Sequence, residues 1–82
     1  MKVIKYGTPW CNQCKVMSET LKRSGIPYEE IDVDEHEEIA EKKNIRSVPL
    51  LEICDDLGNV LFSKTGIIPM NELKELVNRY EQ

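Results

Sequence analysis

The sequence predicts an α/β fold: a central four-stranded mixed sheet with three helices, in the order β-α-β-α-β-β-α. Three observations carry this expectation. Short runs rich in β-branched and aromatic residues alternate with longer runs of helix-favouring residues. Glycine and proline punctuate the boundaries between those runs. The last two strand-like runs are separated only by DDLG, a hairpin signal, whereas the first two enclose a helix and so read as a parallel βαβ unit.

The elements follow in order. KVIKY, residues 2–6, is a short strand ended by Gly7. Residues 12–24 favour helix, with Val16, Met17, Thr20 and Leu21 on one side; Gly25 supplies a left-handed stop and Pro27 prevents continuation. YEEIDV, residues 28–33, is a half-buried strand with Ile31 and Val33 facing one way. Asp34, with Glu37 three residues on, resembles a capping box for a helix over residues 35–43. Residues 50–54 and 59–63 form the hairpin. Pro69 opens a final helix with Leu73, Leu76, Val77 and Tyr80 on one face. Helices on both faces of such a sheet would cover nearly all its apolar surface.

At 82 residues the chain is long enough for one domain, spanning 1–82, and too short for a second core. Hydrophobic residues at 40% and charged residues at 32% fit a globular domain and not a disordered one. The net charge of -4 argues against nucleic acid and anionic membrane as partners. No apolar run approaches the roughly 20 residues that span a bilayer. The N-terminal residues run from a short strand straight into a cysteine motif with no leader pattern, so the expected location is cytoplasmic.

The chemistry concentrates in WCNQCK, residues 10–15. A CxxC can hold a metal, staple a fold or exchange electrons. Three cysteines is an odd count, which argues against a disulfide-stapled miniprotein. A closed zinc site takes four Cys or His ligands, and Cys11, Cys14, Cys54 and His36 reach four only if all converge. No metal is expected. A CxxC directly after the first strand of a βαβ unit, opening a helix, is the setting of a redox motif. There the first-turn N–H groups and the helix dipole favour a thiolate at Cys11, and the i,i+3 spacing keeps Cys14 on the same side, expected to be the more buried.

At this point the chain resembles the thioredoxin–glutaredoxin superfamily, through the strand KVIKY, the WCNQCK motif, the SVPL segment before the third strand, and Gly66 between the last strand and helix. Its length and start look like glutaredoxin. Trp10 before the first cysteine and the tail TGIIPMNELKELV look like thioredoxin. The tail lacks the Gly-Gly-acid pattern with which glutaredoxins hold glutathione, and Asn12-Gln13 matches the middle pair of neither group.

The resemblance implies a dithiol oxidoreductase with a redox-active Cys11–Cys14 disulfide, Cys11 the nucleophile and Cys14 the resolving thiol. It implies substrate contacts at Trp10, at Val48 and a cis Pro49, and at Gly66. Expected partners of this monomer are disulfide-containing proteins and a reductase, thioredoxin reductase before glutathione, with glutathione as the alternative co-substrate and no bound cofactor. A second reading is a glutaredoxin-like iron–sulfur or metal-binding module, and a third a silent interaction domain. Where thioredoxins commonly bury an acid near the first strand, this chain has Lys5, whose ammonium either supports a thiolate or reaches solvent over a packed stem. Lys15 either attracts anionic substrates or is simply solvated. Trp10 forms either an exposed docking lip or a cover over the helix start. Cys54, Tyr6 and Tyr28 read as packing, and His36 as a surface residue.

Overall fold

A computed structural model describes residues 1–81. The strands are β1 (Lys2–Gly7), β2 (Glu29–Asp32), β3 (Leu50–Cys54) and β4 (Val60–Thr65), and the helices α1 (Asn12–Ser24), α2 (Glu37–Lys42) and α3 (Met70–Tyr80), in the expected order. The sheet runs β2-β1-β3-β4. β1 and β2 are parallel, with Lys5 opposite Glu30, while β1–β3 and β3–β4 are antiparallel.

The two faces of the sheet differ in chemistry. Val3, Leu51 and Ile53 point to one side and meet Met17 and Leu21 of α1, Ile68, and Leu73, Leu76 and Val77 of α3 in a single apolar core. Each such buried side chain stabilises by about 1.5–3 kcal/mol relative to exposure. The other face carries a polar network under α2. Tyr6 donates to the buried carboxylate of Glu52 at 2.9 Å, and Lys43 Nζ reaches the same carboxylate at 3.2 Å while lying 5.7 Å from the centre of the Tyr6 ring. A buried carboxylate is tolerated in a core strand because both partners reach it.

Several local expectations are corrected. Asp34 does not cap α2. The Asp32 carboxylate accepts the Asp34 N–H at 2.9 Å, and the Asp32 carbonyl accepts from Glu35 and His36, so the chain turns before it coils. α2 therefore starts at Glu37, after His36, which makes no side-chain cap bond, and it buries none of its residues. On α1 the buried face is Cys14, Met17 and Leu21, and Val16 is exposed, because it stands one position away from that 3–4 spacing. Thr20 turns its hydroxyl back to the Val16 carbonyl at 3.0 Å. The second strand is shorter than residues 28–33, and the fourth is displaced to Val60–Thr65, where Thr65 pairs with Leu50. Gly25 ends α1 with a φ of 73°, as expected.

Candidate active site: a cysteine pair at a helix N-terminus

β1, an inner strand, delivers the chain to one end of the sheet, and α1 starts beyond it. Cys11 is the N-cap of α1, with extended backbone at φ -90° and ψ 117°, and its Sγ accepts the Cys14 N–H at 3.1 Å. Sulfur thus stands where a capping serine or aspartate oxygen would. The first turn holds no acidic side chain, so a thiolate at Cys11 faces the positive end of the helix without competition.

The two thiols differ in their surroundings. Cys11 is half-buried, and its pKa is held below that of an ordinary thiol. The main cause is the hydrogen bond from the Cys14 side chain; the backbone N–H groups of Cys14 and Gln13 add to it and partial burial opposes it. Cys14 is 1% exposed, and burial first, then its bond to Cys11, pushes its pKa up, with a backbone hydrogen bond from Thr8 working the other way. All three cysteines are free thiols. The two thiols thus differ in proton affinity, Cys11 lowered and Cys14 raised.

The rest of the site comes from distant segments. The Val48–Pro49 peptide is cis, as expected, and the Val48 carbonyl lies 4.0 Å from Cys11 Sγ. Gly66, at φ 91°, donates its N–H to the Pro49 carbonyl at 2.8 Å, so the last strand's end is tied to the proline loop. That φ favours glycine. Trp10 is 70% exposed, and its Nε1 donates to Asp34 at 2.8 Å, so the ring is a pinned lip and not a cover. Lys15 is exposed and borders a cleft beside Cys14.

Lys5 departs from the solvated-head reading. It is 3% exposed, and its ammonium donates to Ser18 Oγ and, at 2.9 Å, to Glu30 Oε1, while Ser18 donates to the same oxygen at 2.9 Å. The Lys5 bond holds the Glu30 carboxyl below the usual range. Glu30 and Ser18 were not singled out from sequence. The pairing of Lys5 with Glu30 depends on the β1–β2 register, though Ser18, four residues after Cys14 on one helix face, was a readable signal. Gly7 was also missed: a Cβ there would lie 3.0 Å from Cys14 Sγ, so glycine is what lets β1 pass this close to the thiol. Cys54 is buried beside Glu52, remote from the pair, and His36 is on the surface. No cluster of metal-ligating side chains occurs among the described residues, and none of their helices is long and apolar enough to cross a membrane.

An N-capping thiol, a buried partner three residues on and a cis-proline loop facing them, on this sheet, define the dithiol proteins of thioredoxin fold. Residues 3–57 match the glutaredoxin family, and the chain belongs to that family within the thioredoxin–glutaredoxin superfamily. It is 35% identical to the SPbeta prophage-derived thioredoxin-like protein YosR of Bacillus subtilis, over 94% of this chain and 95% of that one. It is 33% identical to Bacillus subtilis thioredoxin, over 92% of this chain and 77% of the relative. Thioredoxin 1 of Thermosipho africanus superposes with a TM-score of 0.79 at 25% identity, covering 99% of this chain and 94% of that one. The glutaredoxin match stops at residue 57, before β4, whereas the likeness to Bacillus subtilis thioredoxin takes in 92% of the chain. The kind of function these relatives define is thiol–disulfide oxidoreduction.

Proposed function

We propose that the protein reduces protein disulfides by dithiol exchange. Cys11 attacks the substrate disulfide, and Cys14 then displaces the reduced product from the mixed disulfide. The observation that carries this reading is the asymmetry of the pair: an accessible N-capping Cys11 Sγ, 3.1 Å from the Cys14 N–H, above a thiol buried to 1%. An extended substrate would lie over Trp10 and along Val48, Pro49 and Gly66, with backbone contacts at Val48. Lys15 at the edge of that surface favours an acidic approach. The chain works as a cytoplasmic monomer with no bound cofactor beyond its own Cys11–Cys14 disulfide.

The thioredoxin-like tail, without a Gly-Gly-acid pattern, supports thioredoxin reductase as electron donor. A glutathione-driven cycle is the second reading, favoured by the glutaredoxin match over residues 3–57. Insulin reduction with each donor separates them. Turnover is expected with NADPH and thioredoxin reductase, and turnover with glutathione and glutathione reductase alone overturns the donor assignment. Cys11→Ser should abolish turnover, and Cys14→Ser should accumulate a mixed disulfide through Cys11. Retained turnover in Cys11→Ser would overturn the mechanism.

A further inference from the structure

We propose that Lys5, anchored by Glu30 and Ser18, is a positioning residue for the resolving half of the exchange: its ammonium supports the thiolate that Cys14 must become. This rests on the assignment of Cys11 as nucleophile and Cys14 as resolving thiol.

The argument begins in the sheet. The β1–β2 register places Lys5 opposite Glu30, and α1 crosses above with Cys14 and Ser18 one turn apart. Because Gly7 has no side chain, one point beside β1 lies 3.0 Å from Cys14 Sγ and 3.5 Å from Lys5 Cε. The end of the lysine stem therefore lies within about 6.5 Å of the buried thiol, with both against the bare face of Gly7.

A buried ammonium is costly unless it is paired, and Glu30 pairs it. The pair is lopsided: the Lys5 side chain is 4% exposed and the Glu30 side chain 54%. Water screens the carboxylate on its outer side, whereas the ammonium faces the protein interior, where charges act over a lower effective dielectric. Glu30 accordingly offsets the ammonium's attraction for a negative sulfur at Cys14 only in part. Of the ammonium's three N–H groups, Ser18 and Glu30 take two, which leaves one uncommitted among the described residues.

A cleft of about 310 Å³ joins these groups to solvent, lined by Lys5, Thr8, Cys14, Ser18 and Glu30 among others. The Thr8 hydroxyl on its wall is buried and has no hydrogen-bond partner among the described residues. The cleft is polar and roomy enough for water. The other charged groups facing it are Lys15, Glu19 and Lys22 of α1, with Asp32 of β2 in the adjoining hollow.

In the resolving step the Cys14 S–H gives its proton to water in the cleft. The thiolate attacks Cys11 Sγ, the Cys11–Cys14 bond forms and the bond from Cys11 to the substrate sulfur breaks. That sulfur leaves with the electron pair as a thiolate and is protonated from water. Two electrons have passed from the protein's dithiol to the substrate. Lys5 lowers the cost of the first event without touching the substrate.

The test uses the reduced protein in a Cys54→Ala background, mixed with 5,5′-dithiobis(2-nitrobenzoate) in a stopped-flow instrument from pH 5 to pH 10. Attack by Cys11 releases one equivalent of thionitrobenzoate, and resolution by Cys14 releases a second. Lys5→Met should slow the second release about tenfold at neutral pH and move its profile to higher pH. Glu30→Gln, by unmasking the ammonium, should quicken it and move the profile to lower pH. A second-release profile unmoved in Lys5→Met overturns the proposal even if the variant is less stable, because a purely structural lysine would lower stability alone. A slower second release in Glu30→Gln, with its profile moved to higher pH, also overturns it and makes Glu30 the proton acceptor. If Lys5→Met does not fold, Glu30→Gln decides: a shift to lower pH supports the proposal and any other result overturns it. Absence of the second release in the unsubstituted protein would instead strike the Cys11–Cys14 assignment.

Discussion

At the scale of single residues the site depends on one atom that is missing. Gly7 has no Cβ, and one placed there would press to 3.0 Å from Cys14 Sγ and 3.3 Å from Cys14 Cβ. Gly7→Ala should therefore cost about 1–3 kcal/mol, as overpacking does, and should slow resolution by shifting Cys14. Urea unfolding together with the second thionitrobenzoate release would measure both effects. Unchanged stability would mean that the strand end gives way freely. Cys11 and Cys14 were legible in the sequence because they form a motif with fixed spacing, and Pro49 through the resemblance that the SVPL segment carries. Lys5 was legible only as an oddity. Its partner lies 25 residues away on a parallel strand, and register across a crossover is not written in either strand alone. Gly7 looked like a simple strand stop, because close approach to a side chain seven residues later is a tertiary fact.

At the scale of elements, the bounds of α1, β1 and β3 were read almost residue by residue, while those of β2, β4 and α2 were not. α1 has a 3–4 apolar spacing, a sulfur N-cap and a left-handed glycine stop, all local signals. α2 buries none of its residues, so its bounds follow from which carboxylate wins the competition for backbone N–H groups, and Asp32 wins over Asp34. The same region shows how β2, a four-residue edge strand, is held: by its ladder to β1 and by the Lys5–Glu30 ion pair. The folded pKa of Glu30 lies below its ordinary value, so the unfolded chain takes up this proton first as pH falls. The pair's contribution is thus complete above about pH 4.3 and is lost as pH drops through the folded pKa. Glu30→Gln should be less stable than the unsubstituted protein by about 1 kcal/mol at pH 7, with the gap narrowing by pH 3. Urea unfolding at both pH values checks this, and a gap that stays constant would show that the carboxylate charge contributes nothing.

At the scale of the whole molecule, the two thiols make one couple with unequal proton affinities. Oxidation of a dithiol releases two protons when both sulfurs are protonated, and only one when Cys11 is already a thiolate. Cys11 titrates below an ordinary thiol and Cys14 above, so the potential should fall by about 59 mV per pH unit in acid and by about 30 mV per pH unit between the two transitions. Equilibration against glutathione buffers over pH 5 to pH 9 would show the break. A single steep slope across that range would mean the thiols titrate alike. The fold also decides how such changes can be watched. The chain has one tryptophan, Trp10, pinned to Asp34 and adjacent in sequence to Cys11. The protein therefore carries a built-in fluorophore next to Cys11. Its emission should quench as the neighbouring disulfide closes, and should shift to shorter wavelength when a partner covers the exposed ring, so redox state and docking are each visible in an unlabelled sample.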